Sequence, residues 1–98
     1  MDTSKLTVTH NTIDHQFETV VGEHKGLIAY RQMGNVIYMT HTEVAPALEG
    51  KGVAGKIAQF ALDYVREHGL KVVPSCPYVR GYIERHPEYQ DLVVSQQS

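Results

Sequence analysis

The hydrophobic period of this chain changes abruptly, once, and that change limits what it can fold into. Val36 to Val44 (Val-Ile-Tyr-Met-Thr-His-Thr-Glu-Val) is dense in β-branched and aromatic residues and reads as a strand. Beyond a glycine-rich segment, Ala54, Ile57, Ala58, Ala61, Leu62 and Val65 recur at three- and four-residue steps. That spacing is one apolar stripe on a helix. Gly69 is the expected helix stop, with His68 in the last turn. Leu70 to Val73 then reads as a short buried strand. A strand, a helix and a second strand in this order form a crossover, which joins parallel strands.

The segments on either side complete the pattern. Gln16 to Val21 and Leu27 to Arg31 read as strands, joined through the turn Gly22-Glu23-His24-Lys25-Gly26. Met33-Gly34-Asn35 is a further turn. Pro74-Ser75-Cys76-Pro77 ends the buried strand, and Tyr78 to Arg85 is a short helix halted by Pro87. Leu92 to Val94 is a candidate for one more short strand. An antiparallel meander followed by a β-α-β crossover and a short C-terminal helix requires a mixed sheet. The expected class is α+β, in an α/β three-layer arrangement. The 98 residues suit one domain, with residues 1–5 and 95–98 as frayed ends.

Composition narrows the partners. The formal charge is −2 and no basic run or stripe occurs, so nucleic acid is not an expected partner. No stretch approaches the ~20 apolar residues of a membrane span. Met1-Asp2-Thr3-Ser4-Lys5 lacks a signal layout, and the single cysteine excludes an internal disulfide. A cytoplasmic setting is the expectation. Cys76, His86 and His41 have no recognised ligand spacing, so no metal site is expected.

Gly50-Lys51-Gly52-Val53-Ala54-Gly55 lies between strand and helix. Glycines there expose backbone N–H groups, and the helix start adds unpaired amides and a positive dipole end. Together these suit a phosphate, with Lys51 and Lys56 adding charge. Gly50-x-Gly52-x-x-Gly55 formally matches the dinucleotide fingerprint. The acidic residue expected about 20 positions later is missing, the stretch there being Gly69-Leu70-Lys71-Val72-Val73. A Walker A loop is excluded, since no Gly-Lys-Ser/Thr occurs.

Glu49-Gly50-Lys51-Gly52-Val53-Ala54 resembles the cofactor motif Gln/Arg-x-x-Gly-x-Gly/Ala of the GCN5-related N-acetyltransferase superfamily, with Glu49 in place of Gln or Arg. His41-Thr42-Glu43-Val44, Val73-Pro74-Ser75-Cys76-Pro77-Tyr78 and His86-Pro87-Glu88-Tyr89 extend the resemblance to a branch of small single-domain members, over Phe17 to Tyr89. The resemblance implies an acetyl-CoA-dependent transferase acting on an amine, either a small amine or a protein lysine or N-terminus. It also implies that the pantetheine arm of coenzyme A pairs with backbone from Thr42 to Val44. The pyrophosphate would then sit on the amides of Gly50, Lys51, Gly52, Val53 and Ala54, near Glu49 and Lys56. This branch lacks the helices that larger members place between their first two strands, which implies an open acceptor site.

Transfer of an acetyl group from a thioester to an amine needs a base for the amine and an acid for the departing thiolate. His41 and Glu43, two apart on a strand, share a face and are both candidate bases. Cys76, ahead of a helix, either lines the thioester site or accepts the acetyl group covalently. Tyr82 is the candidate acid that the resemblance implies. A non-catalytic module that only binds acetyl-CoA or coenzyme A is the alternative from another functional class.

Overall fold

A computed structural model describes residues 6–94. The expected frayed ends lie outside the described residues. Five strands form one sheet in sequence order: β1 (Thr9–Asn11), β2 (Gln16–Val21), β3 (His24–Met33), β4 (Val36–Val44) and β5 (Lys71–Pro74). Strands β1 to β4 are antiparallel neighbours, and β4 pairs parallel with β5. Helix α1 (Val53–Glu67) makes the crossover between β4 and β5. Helix α2 (Pro77–Arg85) and a 3-10 segment, Pro87–Leu92, follow. The α+β class and the mixed sheet are as expected. Val93 makes one parallel bridge to Val72 where a last strand was a candidate.

Two boundaries differ from the sequence reading. Strand β1 was not expected; it is three residues long and holds a polar sequence, Thr-His-Asn. Strand β3 begins at His24, so Gly26 lies inside it rather than in the turn. Gly26 is where α1 crosses closest. A Cβ there would come within 3.1 Å of Ile57 Cδ1 and 3.3 Å of Val53 Cγ1.

Helix α1 forms because its stripe has a surface to cover. Ile57, Ala58, Ala61, Leu62 and Val65 are all fully buried against the sheet. Burying an Ile or Leu side chain completely contributes roughly 1.5–3 kcal/mol relative to exposure. Gly69 adopts a left-handed φ of 65°, and Leu70 N–H closes the helix end on Val65 C=O at 2.9 Å. The 3-10 segment is tied to α1 from outside. Arg66 donates to both Asp91 carboxylate oxygens (3.0 and 3.1 Å), and Tyr89 Oη donates to Asp63 (2.8 Å).

Strand register shows which face is covered. Phe17 pairs with Ile28, and Ile37 with Val72, all four fully buried under α1. Helix α2 joins the same core through Val79, Tyr82 and Ile83. The opposite face carries Glu18, Val20, Leu27, Ala29, Arg31 and Tyr38 at exposed or half-buried positions. The described helices therefore lie on one side of the sheet, giving two layers rather than three. The candidate signals for helices all follow β4, and a crossover with its trailing helix can cover one face only.

Strand β4 carries an irregularity that positions the site. Ala29 pairs with His41, but Tyr30 pairs with Met39, leaving Thr40 as an extra residue on β4. Such a bulge reverses the alternation of all residues beyond it. Ile37 and Met39 face α1, and so do Thr42 and Val44, which pair with Ile28 and Gly26. His41 and Glu43 are turned to the uncovered face. No helix among the described residues is long and apolar enough to cross a membrane.

His10 fixes β1 to the core. Its ring stacks on Phe17 and meets the edge of Tyr64, both at 4.5 Å between centroids, and Nε2 lies 2.5 Å from Tyr30 Oη. Burial holds its pKa below the ordinary 6.5, with repulsion from His68 and His15 adding to the effect. The folded chain thus takes up this proton less readily than the unfolded one. His10 therefore contributes stability above pH 6.5 that is lost as pH falls below it. The thermal midpoint is expected to drop between about pH 6.5 and 5, and His10→Phe to flatten that slope. An unchanged slope in the variant, in melts recorded across this range, would assign the dependence to other groups.

Candidate functional site

Strands β4 and β5 stay paired only from Val36 and Lys71 to Met39 and Pro74. The last tie between them is Cys76 N–H to Met39 C=O, at 2.9 Å. Beyond it β4 continues to Val44, paired with β3 alone, while the chain after Pro74 turns into α2. A cleft of about 600 Å³ opens where the strands part. Thr40, His41, Thr42 and Val44 form one wall, the segment from Leu48 to Gly55 the floor, and Cys76 to Tyr78 the far end. The edge of β4 from Thr40 to Val44 that faces this space pairs with no strand among the described residues.

The floor is built by glycines in conformations other residues avoid. Gly50 has φ 76° and Gly52 φ 78°, both left-handed. A 3-10 turn, Pro46–Leu48, leads in and is anchored by buried Leu48. Gly52 occupies the N-cap position of α1, and no side chain caps the helix. Lys56 N–H is the first amide bonded, to Gly52 C=O at 3.1 Å. The amides of Val53, Ala54 and Gly55 have no acceptor among the described residues. Three open donors stand at the positive end of a 15-residue helix, backbone chemistry that suits an anion.

Of the residues singled out from sequence, the structure gathers most but not all. Thr42, Val44, Glu49, Gly50, Gly52, Val53, Ala54, His41 and Cys76 line the cleft. Lys51 is exposed beside the loop and does not line it. Lys56 lines a second cleft of about 420 Å³, which shares Gly52 and Gly55 with the first. Glu43 is exposed; its Oε1 lies 3.3 Å from His41 Nε2, on the uncovered face. Tyr82 is buried, stacks on His86 at 4.0 Å and borders the second cleft.

The tyrosine in the first cleft is Tyr78, one helical turn earlier. Its hydroxyl stands 3.5 Å from where a Cβ on Gly55 would be, an ordinary packing distance between α2 and the helix start. Burial holds the phenol of Tyr78 above the usual range, only partly offset by Arg85, and keeps it protonated at neutral pH. Its position two residues after Cys76, in the first turn of α2, was the available signal. Cys76 is 5% exposed at the N-cap of α2. Burial pushes its thiol up, but hydrogen bonds from the Thr42 hydroxyl and from the amides of Val79, Tyr78 and Thr42 hold it below the ordinary thiol range.

Comparison with known proteins agrees with the sequence resemblance. The family model described as GCN5-related N-acetyl-transferase matches residues 16–92. The chain belongs to the GCN5-related N-acetyltransferases. It is similar to Protein NATD1 of Xenopus tropicalis, 33% identical over 92 residues, covering 91% of this chain and 84% of that one. Against Protein NATD1 of Mus musculus the identity is 33% over 90 residues, covering 89% and 82%. A solution structure of a GCN5-like putative N-acetyltransferase from Staphylococcus aureus matches with a TM-score of 0.71 and 27% identity, over 96% of this chain and 93% of that chain. Membership supports acetyl transfer in general terms, and the solved structure shares the α+β fold.

The open amides make a prediction specific to the floor. Inorganic pyrophosphate is expected to shift the backbone amide resonances of residues 50–56 and to leave those of His10 and Tyr64 in place. Uniform small shifts across the chain in a heteronuclear NMR titration would show that no anion site exists there.

Proposed function

We propose that this chain transfers an acetyl group from acetyl-coenzyme A to an amine. The observation that carries the proposal is the joining of three open amides, a free strand edge and a thiol-lined end in one continuous cleft. A pyrophosphate fits the amides of Val53, Ala54 and Gly55. An amide-bearing arm fits the unpaired edge of β4 from Thr42 to Val44. The second cleft, reached past Gly52 and Gly55 and lined by Lys56 and the ring of Tyr82, suits the nucleotide end.

When bound, acetyl-coenzyme A supplies the activated acyl group as a thioester. The residues of this chain supply orientation and proton handling. His41, oriented through Nε2 by Glu43, takes a proton from the incoming ammonium at its other ring nitrogen, Nδ1. Tyr78 Oη, protonated and half-buried at the far end, gives a proton to the departing sulfur. Cys76 and Thr42 border the place where the acyl group lies. The acceptor reaches this place from the uncovered face, where His41 and Glu43 stand.

One observation favours a second reading, a module that binds the coenzyme without turnover. Glu49 borders the phosphate end of the cleft, where a carboxylate opposes an anion, and the open face offers the acceptor few walls. Calorimetric titration with acetyl-CoA, coenzyme A and NAD tests both readings at once. Both coenzyme A forms are expected to bind and NAD to give no heat; absence of binding by either coenzyme A form would sink both readings. Release of coenzyme A thiol in the presence of a lysine-bearing peptide and of small amines then separates them. Tyr78→Phe is expected to slow release about tenfold or more, within the usual contribution of a positioned acid, and Tyr82→Phe to change it little. Equal rates for Tyr78→Phe and the parent would favour the binding module.

A further inference from the structure

Thr42 and Cys76 lie 34 residues apart in sequence, yet Thr42 Oγ1 is 3.1 Å from Cys76 Sγ. Regular alternation along β4 would forbid this contact. Met39 faces α1, so an unbroken strand would put His41 and Glu43 on that side and turn Thr42 away. The extra residue, Thr40, reverses the order and brings the Thr42 side chain onto the sulfur.

The surroundings of the sulfur consist of donors. The backbone amides of Thr42, Tyr78 and Val79 act on it together with the Thr42 hydroxyl, whose contact with the sulfur allows either atom to donate. A neutral thiol is only a weak donor and a weak acceptor, whereas a thiolate is stabilised by each donor it meets. Titratable side chains that share the cleft are His41 and Glu49 from the β4 wall and the loop, and Tyr78 from α2; α1 contributes only Val53, Ala54 and Gly55.

We propose that Thr42 is a positioning residue whose hydroxyl donates to the Cys76 sulfur and favours its thiolate form at the closed end of the cleft. The contribution to acetyl transfer rests on the reading of the cleft given above, but the hydrogen bond itself does not. Burial works against the charged sulfur, and the donors outweigh it. A hydroxyl is the one donor of the set that a side-chain substitution removes without disturbing the backbone. Valine keeps the shape of threonine and lacks that hydroxyl.

Cys76 is the only cysteine, so alkylation reports on it alone. The test follows the rate of iodoacetamide alkylation from pH 5 to 10 in the parent, Thr42→Val and Thr42→Ser. Thr42→Val is expected to slow alkylation at pH 7 about three- to tenfold, the effect of roughly half to one pKa unit, and to reach the parent plateau at high pH. Thr42→Ser is expected to restore the parent profile, since it keeps the donor and loses only a methyl group. Superimposable profiles for all three proteins would overturn the proposal. So would equal shifts in the serine and valine variants, which point to packing. Coenzyme A titration of the same proteins keeps the two readings apart. Loss of coenzyme binding in the parent with a shifted valine profile removes the proposed function and leaves the role of Thr42. Intact binding with an unshifted profile removes the role of Thr42 alone.

Discussion

The β4–β5 ladder ends at a residue that cannot extend it as a donor. Pro74 has no amide hydrogen, and Cys76 N–H provides the last hydrogen bond to β4, at Met39 C=O. From that point the two parallel strands separate. Everything at the site follows from the separation. It frees the far edge of β4, it makes room for the glycine loop below, and it directs the chain into α2 with Cys76 at its start. The helix start is left uncapped because the left-handed Gly52 stands in the capping position and offers no side chain.

The Thr40 bulge adds a second constraint on top of the first. It divides β4 into a half that continues the core and a half that serves the cleft. Core side chains Ile37 and Met39 stay under α1, and Thr42 and Val44 follow them on the same face. His41 and Glu43 then occupy the bare side of the sheet. The cleft thus passes through the sheet plane, with amides and thiol reached from one face and the imidazole from the other.

Much of this is written locally in the sequence. The apolar stripe from Ala54 to Val65, the stop at Gly69 and the glycine loop are each specified by residues close in the chain, and each forms as expected. The bulge has no such local signature: Tyr38-Met39-Thr40-His41-Thr42 alternates without a glycine or a break, and the extra residue emerges only from pairing with β3. Which tyrosine lines the first cleft has no local signature for a related reason. Tyr78 and Tyr82 are four apart and share a helix stripe, and only the depth of the cleft distinguishes them. Strand β1 is too short and too polar to read; it is held by the ring of His10 among Phe17, Tyr30 and Tyr64, contacts that no local pattern encodes. The two-layer form became visible only when register showed which side α2 joins.

The floor of the cleft presents backbone amides rather than side-chain donors. Peptide amides are common to every residue but proline, so the half-buried side chain at Ala54 can vary among those a helix start accepts while the donors stay in place, whereas Val53 is held by the core. The residues under tight restriction are Gly50 and Gly52, held by their left-handed φ angles. A lineage using such a site can lose nearly all recognisable spelling of its motif and keep its geometry. Mutational tolerance and faint sequence memory are, here, two results of the same architecture.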